Sequence, residues 1–325
     1  LIEYNYIKKN SHDISTINKS ALSASLGHDG HLYGVPFALQ LQSILVNSKL
    51  VKKHGINRVP NSMSELDSIF SELKSKGITP LHLSGGANWY VSQVLGEVLM
   101  AGLVEASFAN NLLKGEVCFT DPKFINIFST LAHWKKSGYM NSNASTENYG
   151  AMNNSIALGN SAMSLDGGWK TGATSEFYQV DANYKFEFWA VPGASKKVYA
   201  LGDGTYQAAT NSQQRDKAKQ VLEFTSTKKF AELFAEYVGE LPAYGGNINI
   251  KPGVLKDMAA IVANQSYSVG LFTAYEINRG EPSYNQLLNE SIKAVLAAEK
   301  SPQQAAKHIQ DGLNSWGYIG STQCQ

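Results

Sequence analysis

The chain has 325 residues, 43% of them hydrophobic and 17% charged, with 28 basic and 27 acidic side chains. That length exceeds what one hydrophobic core serves, so two lobes are expected, and the composition excludes a disordered chain. The near-balance of charge, without a long run of either sign, excludes the footprint of a nucleic-acid binder, and no apolar run is long enough to cross a bilayer.

Residues 1–28 scatter Ser, Asn and His among Ile and Leu and predict short helical pieces of a connecting region. The stretch from Asp29 to Asn47 is the organising strand. An Asp-Gly turn launches it, Gly34 and Pro36 punctuate it, and a β-prone apolar run follows. Gln40 and Gln42 stand at alternate positions and so share one face, where buried amides need partners from the protein or from a ligand. Met63 to Leu73 has helical spacing with a capping box in Ser62 and Glu65, and Gly77 ends it. Residues 78–83 read as a strand and residues 84–89 as a loop at its carboxyl end. Val91 to Val104 reads as a helix, and Asp121-Pro122 caps another that places Phe124, Phe128, Leu131 and Trp134 on one face before Gly138.

Residues 161–165 predict a short strand that delivers Asp166-Gly167-Gly168-Trp169. Residues 186–191 predict another, and Tyr199 to Thr210, with Gly202-Asp203-Gly204 inside it, a third that passes between lobes. Helices are expected over 213–225, 227–237, 254–263 and 284–299, and after Ser301-Pro302, with Leu241 to Gly246 as a non-helical break. Alternation of strands and helices makes this an α/β protein. Cys118 and Cys324 are too few for a disulfide framework or a cysteine-built zinc site, which leaves a single bridge between them open.

Catalytic and metal motifs are absent: there is no P-loop, no nucleophile elbow and no His-Glu-x-x-His helix, and neither a cofactor nor a metal is expected. Trp134 and Trp316 fall on apolar helix faces and are assigned to the core. Trp89 and Trp169 follow glycine-rich segments at strand ends, where open α/β sheets place ligands. An indole presents a flat apolar face and one N–H donor, which suits a sugar ring, although local packing would explain either residue equally. Asp166 and Asp203 each precede a glycine and read as turn formers or as charged acceptors for hydroxyl groups.

Taken in order, Asp29-Gly30-His31-Leu32-Tyr33-Gly34-Val35-Pro36-Phe37, Val46-Asn47-Ser48-Lys49-Leu50, Gly159 to Trp169 and Gly239-Glu240-Leu241-Pro242-Ala243 form a series. The series resembles the extracellular solute-binding proteins of ATP-driven sugar importers, the maltose-binding-like group. The resemblance implies a two-lobed periplasmic-binding-protein fold of type II, with interlobe crossings near 36–42, 199–208 and 241–246. It assigns 1–38 and 205–243 to an amino-terminal lobe, and 39–204 and 244–325 to a carboxy-terminal lobe. Family members carry further strand and helix units before the Asp-Gly segment, whereas 28 residues precede it here, so a truncated first lobe is expected.

The implied function is capture of a carbohydrate in an interlobe cleft and delivery to the membrane permease of an ATP-binding-cassette importer. That implies a non-enzymatic, monomeric, extracytoplasmic protein, with a lipid anchor on an upstream cysteine and no nucleic-acid partner. Trp169 corresponds to a ring that stacks on sugar, and Trp89 opens the helix that borders the cleft. Gln40, Gln42, Asp203, Tyr206 and Tyr244 lie on segments that face it, Asp166 belongs to the motif of Trp169, and Lys170 follows. The rival class is a carbohydrate-active hydrolase, with Asp166 and Asp203 as the carboxylate pair. A binding protein for another solute is the second alternative, with Tyr206 and Tyr244 as iron ligands.

Overall fold

The computed structural model describes residues 17–18, 21–22, 25, 27, 31–172, 175–207, 213–251, 253–264, 267–268 and 270–324. The expected helical pieces before residue 17, the Asp29-Gly30 turn and residues 208–210 lie outside the described residues.

In chain order the elements are β1 (Val35–Asn47), α1 (Ser48–Lys53), α2 (Met63–Ser75), β2 (Thr79–Leu81), a π-helical segment (Tyr90–Gly96), α3 (Glu97–Leu103), α4 (Ala106–Lys114) and α5 (Pro122–Ser137). Then come α6 (Tyr149–Ala157), β3 (Ser161–Gly167), a 3-10 turn (Gly168–Thr171), α7 (Glu176–Val180), β4 (Phe186–Trp189) and β5 (Val198–Tyr206). The remainder is α8 (Arg215–Thr225), α9 (Lys228–Tyr237), α10 (Val254–Ala263), β6 (Tyr267–Ser268), α11 (Tyr275–Asn278), α12 (Tyr284–Leu296) and α13 (Pro302–Asn314). The strand order is β2-β3-β1-β5-β6, with β4 also paired to β1.

The chain forms two compact units. Unit 1 holds residues 1–41, 168–175 and 200–265; unit 2 holds 42–167, 176–199 and 266–325. The chain thus passes from one unit to the other inside both β1 and β5, whereas Leu241 to Gly246 lies wholly within unit 1.

Unit 1 is built on the first half of β1. The segment after α9 runs beside it: Leu39 N–H donates to Leu241 O and Ala243 N–H to Phe37 O, each at 2.9 Å. Phe37 anchors the aromatic cluster, with Tyr206 at 4.5 Å and Phe234 at 5.6 Å between ring centroids.

In unit 2, β1 pairs antiparallel with β3 (Ile44 opposite Leu165) and with β4 (Ile44 opposite Trp189), while β2 is parallel to β3. A strand with neighbours on both edges and both faces covered reads as a continuous apolar run, which is why Ile44, Leu45, Val46, Met163 and Leu165 are all buried. Helices α5, α12 and α13 complete the core around Phe124, Phe128, Tyr284, Ile292 and Ile309. Trp134 is fully buried as expected, with its indole N–H donated to Asp67 at 3.1 Å.

Three sequence expectations differ from the structure. The Ser62 hydroxyl caps α2 by accepting from Glu65 N–H at 3.2 Å, but the Glu65 carboxylate accepts from Asn61 N–H at 2.7 Å instead of returning to Ser62. Both are orphan donors at a helix entrance, and the long glutamate side chain reaches the earlier one. The complete reciprocal box forms at Ser301 and Gln304. The helix expected over 91–104 opens as a wide π-helical segment, where Gly96 lies so close to α12 that a Cβ there would be 2.7 Å from Leu288 Cδ2. Trp316 lies beyond the end of α13, half-buried, donating its N–H to Pro282 O at 3.0 Å beneath the Arg279 guanidinium, so it is not a core residue.

Cys118 and Cys324 form a disulfide with Cα atoms 5.4 Å apart, tying the end of the chain to the loop before α5. Glu97, the first residue of α3, is fully buried and accepts the Leu271 N–H at 2.9 Å. Burial pushes its carboxyl up to about 8, against the opposing pull of the Leu271 and Phe272 backbone donors.

Candidate functional site

Unit 2 brings one set of the predicted residues together. β3 is buried along its whole length between β1 and β2, and its last turn of sequence carries Asp166 opposite Ser43 of β1. Asp166 Oδ1 accepts both the Tyr149 hydroxyl and the Gly167 N–H at 2.8 Å. Tyr149 is the first residue of α6, set there because the Asn148 side chain caps the helix by accepting from Ala151 N–H at 2.8 Å. Trp89 is 44% exposed and meets the Tyr149 ring edge-on at 4.8 Å and Tyr90 at 6.1 Å. Tyr90 is fully buried, and burial together with the Asp166 charge holds its hydroxyl well above the ordinary tyrosine range. The Tyr90 hydroxyl has no hydrogen-bond partner among the described residues.

Gln42 is fully buried, and neither its Nε2 nor its Oε1 has a hydrogen-bond partner among the described residues. Buried amides are rarely left so, because each unmade bond costs about 1–3 kcal/mol. Gln42 therefore carries unmet hydrogen-bonding capacity among the described residues of unit 2.

Trp89 is aimed by the loop in front of it. Gly85 N–H donates to Ala144 O at 2.7 Å and Gly86 N–H to Glu147 O at 2.8 Å, so this loop lies flat on the backbone of residues 144–147. A Cβ at Gly86 would stand 2.5 Å from Thr146 O, a contact only backbone movement relieves. Gly86→Ala is expected to destabilise the chain by about 1–3 kcal/mol and to change Trp89 emission. An unaltered melting curve and spectrum would show that the loop has slack.

Behind this loop, Ser161 Oγ is 2.8 Å from His82 Nδ1, and His82 Nε2 is 3.6 Å from Glu147 Oε2. The order mimics a hydrolase triad. However, the fully buried Ser161 hydroxyl also bonds Ser155 at 2.8 Å, so it is engaged on both sides and the group braces the loop. Burial lowers the His82 imidazole, against the nearby Glu147 carboxylate.

Unit 1 holds the other predicted residues. Gln40 bonds the half-buried Glu240 carboxyl, and Asp203, exposed on β5, lies within electrostatic reach of it. Burial and then the Asp203 charge push Glu240 up, while Gln40 pulls it down. Trp169 is half-buried in the 3-10 turn, with Lys170 buried beside it. The turn packs on neighbouring backbone, since a Cβ at Gly172 would meet Val238 O at 2.1 Å. Tyr206 stands at the end of β5 against Phe37, and Tyr244 is bridged to Ile17. Asp166 and Asp203, the carboxylates considered as a hydrolytic pair, belong to different units.

Three residues of these sets were not singled out from the sequence: Tyr149, Tyr90 and Glu240. Tyr149 follows an Asn-capped start that capping rules could have flagged, and Glu240 sits in the quoted Gly239 to Ala243 segment. Nothing in the local sequence marks Tyr90 apart from a core ring. No group of side chains among the described residues is arranged to hold a metal ion, and no single described helix is long and apolar enough to cross a membrane.

The chain is 24% identical over 218 residues to an uncharacterized ABC transporter extracellular-binding protein of Pyrococcus horikoshii, a match covering 66% of this chain and 47% of the relative. It thus spans about half the length of the curated relative it matches. Its fold is similar to that of a chitin oligosaccharide binding protein, with TM-score 0.80 and 21% identity over 97% of this chain and 78% of the other. It is also similar to a sugar transporter protein from Bacillus licheniformis in complex with stachyose, with TM-score 0.71 and 14% identity over 93% and 80% of the two chains. Residues 2–232 match the family described as bacterial extracellular solute-binding protein, and by that match the chain belongs to this family.

Proposed function

We propose that this protein captures a carbohydrate outside the cytoplasmic membrane and delivers it to the permease of an ATP-binding-cassette importer, making and breaking no bond. The observation that carries this reading is the unit 2 set: an exposed indole, Trp89, beside a buried carboxylate, Asp166, that Tyr149 holds in place. An aromatic face takes the C–H side of a sugar ring, and a fixed carboxylate accepts its hydroxyls with bonds roughly twice as strong as neutral ones. The fold is shared with proteins whose names record chitin oligosaccharide and stachyose, which supports an oligosaccharide. Gln40, Gln42, Trp169, Asp203, Tyr206 and Tyr244 are the further contacts proposed, with Glu240 added to them. β1 and β5, each continuous from one unit into the other, are the proposed bending segments.

Titration calorimetry against chito-, xylo-, malto- and galacto-oligosaccharides tests the reading. Binding of at least one class is expected, with Trp89→Ala and Trp169→Ala each weakening it roughly 30-fold, the equivalent of about 2 kcal/mol. An intact, folded chain that binds none of them would sink the proposal. Release of reducing sugar during the incubation would favour the hydrolase instead.

A further inference from the structure

Asp166 does not stand alone in unit 2. The side chain that fixes it also supports the exposed ring beside it. The Tyr149 hydroxyl donates to Asp166 Oδ1 at 2.8 Å, and the same ring meets Trp89 edge-on at 4.8 Å and Tyr90 at 5.7 Å. Asp166 is fully buried, so the direction of its lone pairs is set by its donors rather than by water. Among those donors are the Tyr149 hydroxyl and the Gly167 N–H, both on Oδ1. Gly167 belongs to the same strand and can orient the carboxylate only about its own backbone. Tyr149 comes from a different element and sets the carboxylate from outside.

We infer that Tyr149 is a positioning residue that couples the two halves of the unit 2 site, aiming the Asp166 carboxylate with its hydroxyl and seating Trp89 with its ring. The inference rests on the carbohydrate-binding reading for its ligand. The coupling itself is a property of the protein. A ring pinned at both ends leaves Trp89 and Asp166 little freedom to reorganise when a ligand arrives, and less reorganisation means tighter binding. It also makes the site selective: a ligand must present an apolar face to Trp89 and a hydroxyl to Asp166 in one fixed relation.

Two substitutions separate the roles. Tyr149→Phe removes only the hydroxyl, and Tyr149→Leu removes the ring as well. With the tightest-binding oligosaccharide of the panel, Tyr149→Phe is expected to lower affinity about tenfold. Trp89 emission should be unchanged in this variant. Tyr149→Leu should lower affinity further, to about 100-fold in all, and shift Trp89 emission to the red.

Infrared difference spectra of the ligand-free protein provide the reading that needs no sugar. The carboxylate band assigned by Asp166→Asn should shift in Tyr149→Phe. An unshifted band, or parental affinity for that sugar in Tyr149→Phe, would overturn the inference. If the parent binds no sugar while the band and the emission move as stated, the carbohydrate reading fails and the coupling stands.

Discussion

Replacing Cys118 and Cys324 together by serine is expected to lower the thermal midpoint by roughly 10 °C. The two cysteines are 206 residues apart in sequence, so the bridge closes most of the chain into one loop. In the chain-entropy account such a loop is worth about 5 kcal/mol, because an unfolded chain so tied has far fewer arrangements available. The folded chain gains locally too. Gln310 Oε1 accepts the Phe119 N–H at 2.8 Å and Asn314 Nδ2 donates to Cys324 O at 2.6 Å, so the bridge sits on a prearranged seat against α13. Calorimetric scans of the parent, the parent with reductant and the double variant provide the check. Coincident midpoints for all three would mean that the bridge restrains nothing.

The second large effect is a pH dependence traced to one residue. Glu97 has an ordinary value of 4.5 and is pushed up to about 8 in the folded chain. Between these values the folded protein holds a proton that the unfolded chain has released. Stability is therefore full below pH 4.5, declines as pH rises, and levels off above about 8. Over that window the loss is on the order of 5 kcal/mol, from about 1.4 kcal/mol per pH unit. Glutamine cannot titrate and still accepts the Leu271 N–H. Glu97→Gln should match the parent near pH 5 and melt well above it at pH 9. Parallel melting-temperature curves across this range would refute the assignment. Tyr284 contributes no competing change there, since burial and the neighbouring Glu97 and Tyr199 hold its hydroxyl far above ordinary tyrosine.

How much of this could be read from residues alone depends on how local the cause is. Helices α2, α5 and α13 were legible because Ser62, Asp121-Pro122 and Ser301-Pro302 bring their own capping groups and a 3.6-residue apolar period. β1 and β3 were legible as apolar runs. Helix α6 was not, since Tyr149-Gly150-Ala151-Met152-Asn153-Asn154 has low helix propensity and is held by its Asn148 cap and its packing on β3. Tyr149 was missed with it. The disulfide could be posed but not decided, because only the folded chain brings positions 118 and 324 within bonding distance. The two glutamines were visible as a pair on one strand. Yet their difference, Gln42 sealed and Gln40 bonded to Glu240, is set by surrounding elements that no strand period encodes.

The wide turn at Tyr90–Gly96 has a bearing on how such a site could change over time. A π-helical segment accommodates one residue more than the α-helix would need between fixed ends. Removing a single residue from it would close the segment to ordinary α-helical turns and leave its two ends where they are. Trp89 lies directly upstream and Tyr90 opens the segment, while α3 stays locked by Glu97 and the core. A one-codon deletion here would therefore be absorbed inside the segment, leaving both the loop that aims Trp89 and the seat of α3 undisturbed.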